Sequence, residues 1–329
     1  MPLPDQPAHG LKMLGRVASS LFWMSRYIER AENIARLCEA GFRISLTPSI
    51  GGGHKEEWLS TLQSAGVIDG YKDAYDEVTG ESAINYLLFD ERNHSSVRSS
   101  LTAARTNARI VRTKLTRDMW ETLNDTWMGM QAVSPHQMTN ARLPDFLDWI
   151  RERTAQFRGA LLGTILRDEG YYFCQFGAFM ERADNTARIL DVKYYVLLPD
   201  HQSVGGPIDN YQWETILRAV SAHRSYRHVF HEDYKPWRIA EFVILRPEMP
   251  RSLRFCYDWL NVTAEGITEI YGEERPTAEL IRSTHRLLKH SDMGAIFQNG
   301  LHEFLTDFID RNNRVTTGLA SDFYFNPTA

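Results

Sequence analysis

The chain is poor in the residues that would build disulfides, tight β-turns or membrane spans. Its three cysteines, Cys38, Cys174 and Cys256, are far apart and odd in number. They give no Cys-x-x-Cys metal site and no disulfide framework, and point to a reducing compartment with the thiols as small buried apolar groups. Glycine and proline are sparse and bunched, so long stretches run without a breaker, which favours helices over a turn-rich β fold. No run of about 18 apolar residues is present, so no membrane span is expected. Residues 1–10 carry Pro2, Pro4 and Pro7 and no apolar stretch after a basic start, so they do not read as a secretory signal. Residues 1–12 are expected to be a disordered extension of a cytoplasmic protein. A net charge of -5 offers no general attraction to nucleic acid or an anionic membrane. The Gly-x-x-x-x-Gly-Lys-Ser/Thr loop, the Gly-x-Gly-x-x-Gly fingerprint and the Gly-x-Ser-x-Gly elbow are all missing. No recognised nucleotide cradle or hydrolase nucleophile is therefore in view.

What the chain does have is helical periodicity. Over residues 14–46, one face carries Trp23, Met24, Tyr27, Ile28, Ala31, Ile34, Ala35 and Cys38, and the other carries Arg26, Glu29, Arg30, Asn33 and Arg36. Further helices are expected at 54–64, 81–89, 96–115, 117–130, 145–166, 171–198, 210–229, 237–245, 251–266, 277–290 and 301–314. Ser95 or Ser96 is the candidate cap of the helix that starts near residue 96. The glycine stretches at 51–53 and 205–206 read as loops, and the aromatic tail Phe323-Tyr324-Phe325 is expected to tuck against the bundle.

One repeat stands out. Residues 27–36 read YIERAENIAR and residues 179–188 read FMERADNTAR, offset by 152. The apolar positions differ (Tyr27/Phe179, Ile28/Met180, Ile34/Thr186). The polar ones match: Glu29/Glu181, Arg30/Arg182, Asn33/Asn185 and Arg36/Arg188 are identical, and Glu32/Asp184 keeps its charge. A fainter echo pairs NHSSVRSSL (93–101) with PEMPRSL (247–253), setting Arg98-Ser99 against Arg251-Ser252. Exposed ion pairs contribute only about 0–1 kcal/mol. A solvated face has little reason to hold such identities, whereas a buried or ligand-facing network does, because an unpaired buried charge is costly. The expected architecture is all-α: a helical bundle of two duplicated halves with a pseudo-two-fold relation, residues 13–165 and 166–329, packed as one unit.

The stretch MLGRVASSLFWMSRYIERAENIAR, together with NHSSVRSSLTAARTNARIVR and ILRPEMPRSLRF, resembles the Alpha-E family of bacterial proteins over nearly the whole chain. Ser25 departs from the Gly often found at that position, while the second repeat has Gly177 there. The resemblance implies an all-helical structure and functional glutamates, carried here onto Glu29, Glu32 and Glu181, with Asp184 in the fourth place. It further implies a place beside circularly permuted ATP-grasp proteins, with transglutaminase-like proteins in the same neighbourhoods. That context is an ATP-dependent amide-forming or peptide-modifying system in which ATP and Mg sit on the partner and no cofactor is expected on this chain.

The residues themselves leave several chemistries open. Glu29 and Glu181 are the candidate catalytic groups. Arg30, Glu32, Asn33, Arg36, Arg182, Asp184, Asn185, Arg188, Arg98 and Arg251 are candidates for holding a peptide or amino-acid substrate through charge-assisted pairs. Four carboxylates in a bundle can also bind two metal ions. However, Glu-x-x-His spacing occurs only at Glu91-x-x-His94, in a loop, and the arginines compete, so no metal site is expected. His223, His228 and His231 beside Glu232 lack the further ligand that zinc needs and read as surface or packed histidines. Arg98, Arg105, Arg109 and Arg112 share one helical stripe suited to a carboxylate, phosphate or acidic partner. Three functions follow: a helical partner of an ATP-dependent ligase, a stand-alone enzyme using Glu29 and Glu181 as general bases, and a purely structural ion network. Adjacent arginines lower a carboxylate pKa, which works against the second.

Overall fold

The computed structural model describes residues 13–46, 54–196, 207–231 and 234–325. The expected N-terminal extension and the glycine loops at 51–53 and 205–206 lie outside them. Among the described residues every α- or 3-10 element is helical and no strand occurs.

The first half comprises α1 (Gly15–Ser45), α2 (Lys55–Ser64), α3 (Ile68–Ala74), α4 (Gly80–Leu88), α5 (Val97–Ile110), α6 (Arg117–Ala132) and α7 (Leu143–Thr164). The second comprises α8 (Glu169–Val196), α9 (Pro207–Ala219), α10 (His223–Phe230), α11 (Pro236–Ile244), α12 (Leu253–Tyr271), α13 (Pro276–His290), α14 (Met293–Asn299) and α15 (Leu301–Asp322). Helices α1 and α8 pack against each other at the centre. Around α1 lie α5 and α7, with α6 bridging those two. Around α8 lie α12 and α15, with α13 bridging them. The core is one large apolar cluster astride α1 and α8 that runs through the second half, and a smaller one under α2 to α5.

Most expected helices are present to within a few residues. Three departures have local causes. The stretch expected as one helix over 210–229 is split into α9 and α10 by Ser221, which adopts a φ of 56°. The helix expected over 96–115 ends at Ile110, and a 3-10 turn at Arg112–Lys114 follows. The short helices α3 and α14 are too brief for periodicity to reveal. The aromatic tail does pack inward: Phe323 meets Phe173 edge-on with centroids 4.9 Å apart, and Phe325 lies against Phe22.

Local details recur along the chain. Gly66 and Ser221 both close a helix C-terminus with positive φ and a six-to-one hydrogen bond (Val67 N–H to the Leu62 carbonyl, 3.0 Å; Ala222 N–H to the Leu217 carbonyl, 2.6 Å). Tyr71 and Tyr226 then follow at matching places, both fully buried. Ser96 caps α5 and Ser252 caps α12, each accepting from the backbone N–H three residues on. Each cap also donates its own N–H to the carbonyl three residues back, Asn93 and Met249 respectively, at 2.9 Å in both cases. This corrects the register of the fainter sequence echo. With the caps aligned, Arg98 matches Arg254, and Arg251 matches Ser95.

The α1/α8 crossing depends on Gly177. A Cβ there would stand 2.1 Å from the Phe22 carbonyl oxygen and 3.1 Å from the Arg26 nitrogen, both backbone atoms that cannot swing aside. Gly177→Ala is expected to force the helices apart and destabilise the fold by about 3 kcal/mol. A urea denaturation midpoint unchanged from wild type would contradict this.

Candidate functional site

Both faces of α1 are buried. The apolar face enters the core, and Arg26, Glu29, Glu32 and Asn33 on the polar face are covered as well. Opposite them α8 buries Glu181 and Arg182. The two repeated motifs therefore face each other, and their Glu-Arg pairs interlock. The Arg182 guanidinium forks onto Glu29 (Nε to Oε1 2.9 Å, Nη2 to Oε2 3.0 Å). The Arg30 guanidinium forks in the same way onto Glu181 (Nε to Oε1 2.5 Å, Nη2 to Oε2 2.9 Å). Each motif lends its arginine to the glutamate of the other, in the bidentate geometry that gives guanidinium–carboxylate pairs their strength.

Other residues complete the network. Arg251, in the turn before α12, donates to Glu32 (2.6 Å) and to Asn33 Oδ1 (2.9 Å) and lies 3.0 Å from Glu29. Arg36 binds Glu32 one turn away (2.7 Å), and Arg188 binds Asp184 likewise (2.7 Å). Arg158 of α7 bridges Glu29 (3.0 Å) and Glu32 (2.7 Å), and the Thr154 hydroxyl donates to Glu32. Arg26 donates to Glu181 (2.7 Å) and to Thr316 on α15.

Of the residues singled out in the sequence, the structure brings together Glu29, Arg30, Glu32, Asn33, Arg36, Glu181, Arg182, Asp184, Arg188 and Arg251. Asn185 lies at the edge of this group, beside a cavity. Arg98 lies elsewhere: it stacks on Phe89 and donates to the Val133 carbonyl. Two of its stripe partners are also engaged, Arg105 over Trp127 and Arg112 over Trp120, so aromatic rings from α6 cover part of the stripe. Sequence reasoning missed Arg26 and Arg158. Arg26 carried a signal, since it sits one turn before Arg30 on the polar face. Arg158 carried a weaker one: Arg151, Thr154 and Arg158 share one face of α7.

The electrostatics follow from this crowding. Burial alone would raise the pKa of each carboxyl group, but the arginines outweigh it. Arg182 and then Arg251 hold Glu29 below its ordinary range. Arg251, Arg158 and Arg36 hold Glu32 well below it. Burial of Glu181 is overridden by Arg30 and Arg26, which bring it from 4.5 to about 2. Arg251 is itself lowered by burial despite Glu29 and Glu32. All three cysteines are buried and free, and burial pushes Cys174 and Cys256 up to about 12, so neither is a ready nucleophile.

Two cavities abut the network. One, of about 260 Å³, has largely apolar walls that include Phe157, Phe179 and Trp259, with Glu29, Arg158 and Arg182 at its polar end. The buried Ser25 hydroxyl also lines it, beside the Cys174 thiol. The second, of about 180 Å³ and polar, lies between Arg30, Asn33 and the α8 residues Asp184, Asn185 and Arg188.

Two predictions follow from the network. Glu181→Gln leaves Arg26 and Arg30 without their carboxylate and is expected to cost about 3–5 kcal/mol in denaturant unfolding; a loss below about 1 kcal/mol would place the pair among weak surface bridges. Acid should act on the same group. Because the folded pKa of Glu181 lies below its unfolded value, its contribution is present above pH 4.5 and is lost as pH falls toward about 2. The loss is roughly 3 kcal/mol at 1.36 kcal/mol per unit, with Glu29 and Glu32 acting in the same direction. Unfolding free energies measured from pH 6 to pH 2 should therefore fall steadily below pH 4.5 in wild type and less steeply in Glu181→Gln.

Comparison with known proteins gives this arrangement a family. Residues 13–324 match the profile of Alpha-E, described as a predicted alpha-helical domain with a conserved ER motif, a dipeptide that both interlocked helices carry here. An uncharacterised protein of Mycobacterium bovis and one of Mycobacterium tuberculosis are each 24% identical over 312 residues. The alignment covers 89% of this chain and 35% of each of those proteins, so the chain spans about a third of their length. No solved structure matches. With nearly all of its length matched and its Glu-Arg pairs joined at the centre of an all-helical fold, the chain belongs to the Alpha-E family.

Proposed function

We propose that this chain is the helical accessory subunit of an ATP-dependent amide- or peptide-forming system in the cytoplasm, acting beside a circularly permuted ATP-grasp protein that carries ATP and Mg. The observation that carries this reading is the ionisation of the motif glutamates. Glu29, Glu32 and Glu181 are held by arginines below their ordinary pKa, so none is poised near neutrality to take a proton from an amine or water. The network suits holding and orienting better than acid–base chemistry, which speaks against a stand-alone enzyme based on Glu29 and Glu181. The bond-forming step then belongs to a partner. The threefold greater length of the mycobacterial relatives supports a domain that works joined to others.

The reading takes the chain as two duplicated halves related by an approximate two-fold. The reciprocal Arg182–Glu29 and Arg30–Glu181 forks and the recurring caps and turns support it. The apolar cavity is the place for a peptide or amino acid: its side chain against Phe157, Phe179 and Trp259, its charged end toward Arg158 and Glu29.

The test is reconstitution with the circularly permuted ATP-grasp protein of the same organism. The two should co-elute, and ADP release should require both. Ala178→Trp, which fills the apolar cavity, should leave co-elution intact and reduce ADP release at least about tenfold. Substrate turnover by this chain alone, without nucleotide, would overturn the proposal.

A further inference from the structure

The polar cavity beside α8 is lined by Ser95, the residue that aligns with Arg251 when the two capping serines are matched. Arg251 is the residue before the Ser252 cap, in a turn closed by the Ser252 N–H on the Met249 carbonyl at 2.9 Å. Its guanidinium enters a socket made by Glu29, Glu32 and Asn33. Ser95 is the residue before the Ser96 cap, in a turn closed in the same way on Asn93, also at 2.9 Å. It lines one cavity with Glu181, Asp184 and Asn185, which hold in FMERADNTAR the places of Glu29, Glu32 and Asn33. A serine is too short to reach them, and about 180 Å³ remains between.

The charges around the two sockets correspond. Glu29 and Glu32 carry Arg36, Arg158 and Arg182 and still accept the guanidinium of Arg251. Glu181 and Asp184 carry Arg26, Arg30 and Arg188 and, among the described residues, accept no fourth. The presence of arginines around a socket of this kind is therefore no bar to a further guanidinium.

The polar atoms at the cavity are also incomplete. Asn33 is 2% exposed and lines the cavity, and among the described residues its Nδ2 has no hydrogen-bond partner. Among the described residues Asp184 takes hydrogen bonds only from Arg188. At the mouth, Arg188 keeps 35% of its side chain exposed, so the cavity is reachable from solvent.

We infer that this cavity is a binding site for an arginine-type ligand, whose guanidinium takes the place that Arg251 fills in the other half and donates to Asp184 and Asn185. The same ligand carries an acceptor, a carboxylate or amide carbonyl, for the orphan Nδ2 of Asn33. The inference rests on the duplicated-halves reading and not on the nucleotide-dependent partner, so it is tested on the chain alone.

Isothermal titration with L-arginine and with N-acetyl-arginine amide separates a free from a peptide-borne guanidinium by which binds tighter. N-acetyl-lysine amide, acetate and inorganic phosphate are the controls. One site is expected, with the lysine compound about tenfold weaker or more, because an ammonium cannot reproduce the planar fork. Ser95→Arg should fill the socket from within, raise the melting temperature and abolish binding. Asp184→Asn should fold and weaken binding about tenfold. The inference is overturned if phosphate or acetate binds in preference, if the lysine and arginine compounds bind equally, if Ser95→Arg binds arginine undiminished, or if Ser95→Arg lowers the melting temperature.

Discussion

The structure turns on an exchange of guanidinium groups between two helices. Arg30 reaches from α1 to Glu181 and Arg182 reaches from α8 to Glu29, so each buried glutamate takes a bidentate countercharge from the other helix. The rest of the central architecture follows from this dependence. Arginines delivered by α7 and by the turn before α12 converge on Glu29 and Glu32. They draw outer helices of both halves onto one buried point, and the apolar cores close around it.

The exchange also defines what the carboxylates can do. A general base must be able to gain a proton near working pH, and these glutamates are held too acidic for that by their partners. What the network supplies is rigidity and fixed charge. Those properties suit the walls of a binding site. Both neighbouring cavities take part of their lining from network residues, Glu29, Arg158 and Arg182 in one, Arg30, Asn33 and Glu181 in the other.

The helical class, the central pair of helices and most of the network were legible in the sequence, because polar identity at matched positions has a physical reason only where those positions are enclosed. What was not legible needed the third dimension. The fainter echo reads three residues out of register in the sequence, since Arg-Ser looks like the shared feature when the shared feature is the capping serine; only backbone hydrogen bonds at Asn93 and Met249 reveal it. Arg98 was grouped with the site by its stripe, yet Phe89 and the Val133 carbonyl take it up. Arg158 has no partner in the repeat, and nothing in a helix's own periodicity says which other helix it will meet. The break at Ser221 was hidden because positive φ at a non-glycine residue leaves no signature in residue type.

The close approach at Gly177 has a mechanical consequence. Two rods pressed backbone to backbone at one station cannot slide along each other there, because the Phe22 carbonyl and the Arg26 amide block travel in either direction. Both cavities take wall residues from these two rods, the apolar one on either side of this station and the polar one beyond it, so one fixed crossing holds walls of both.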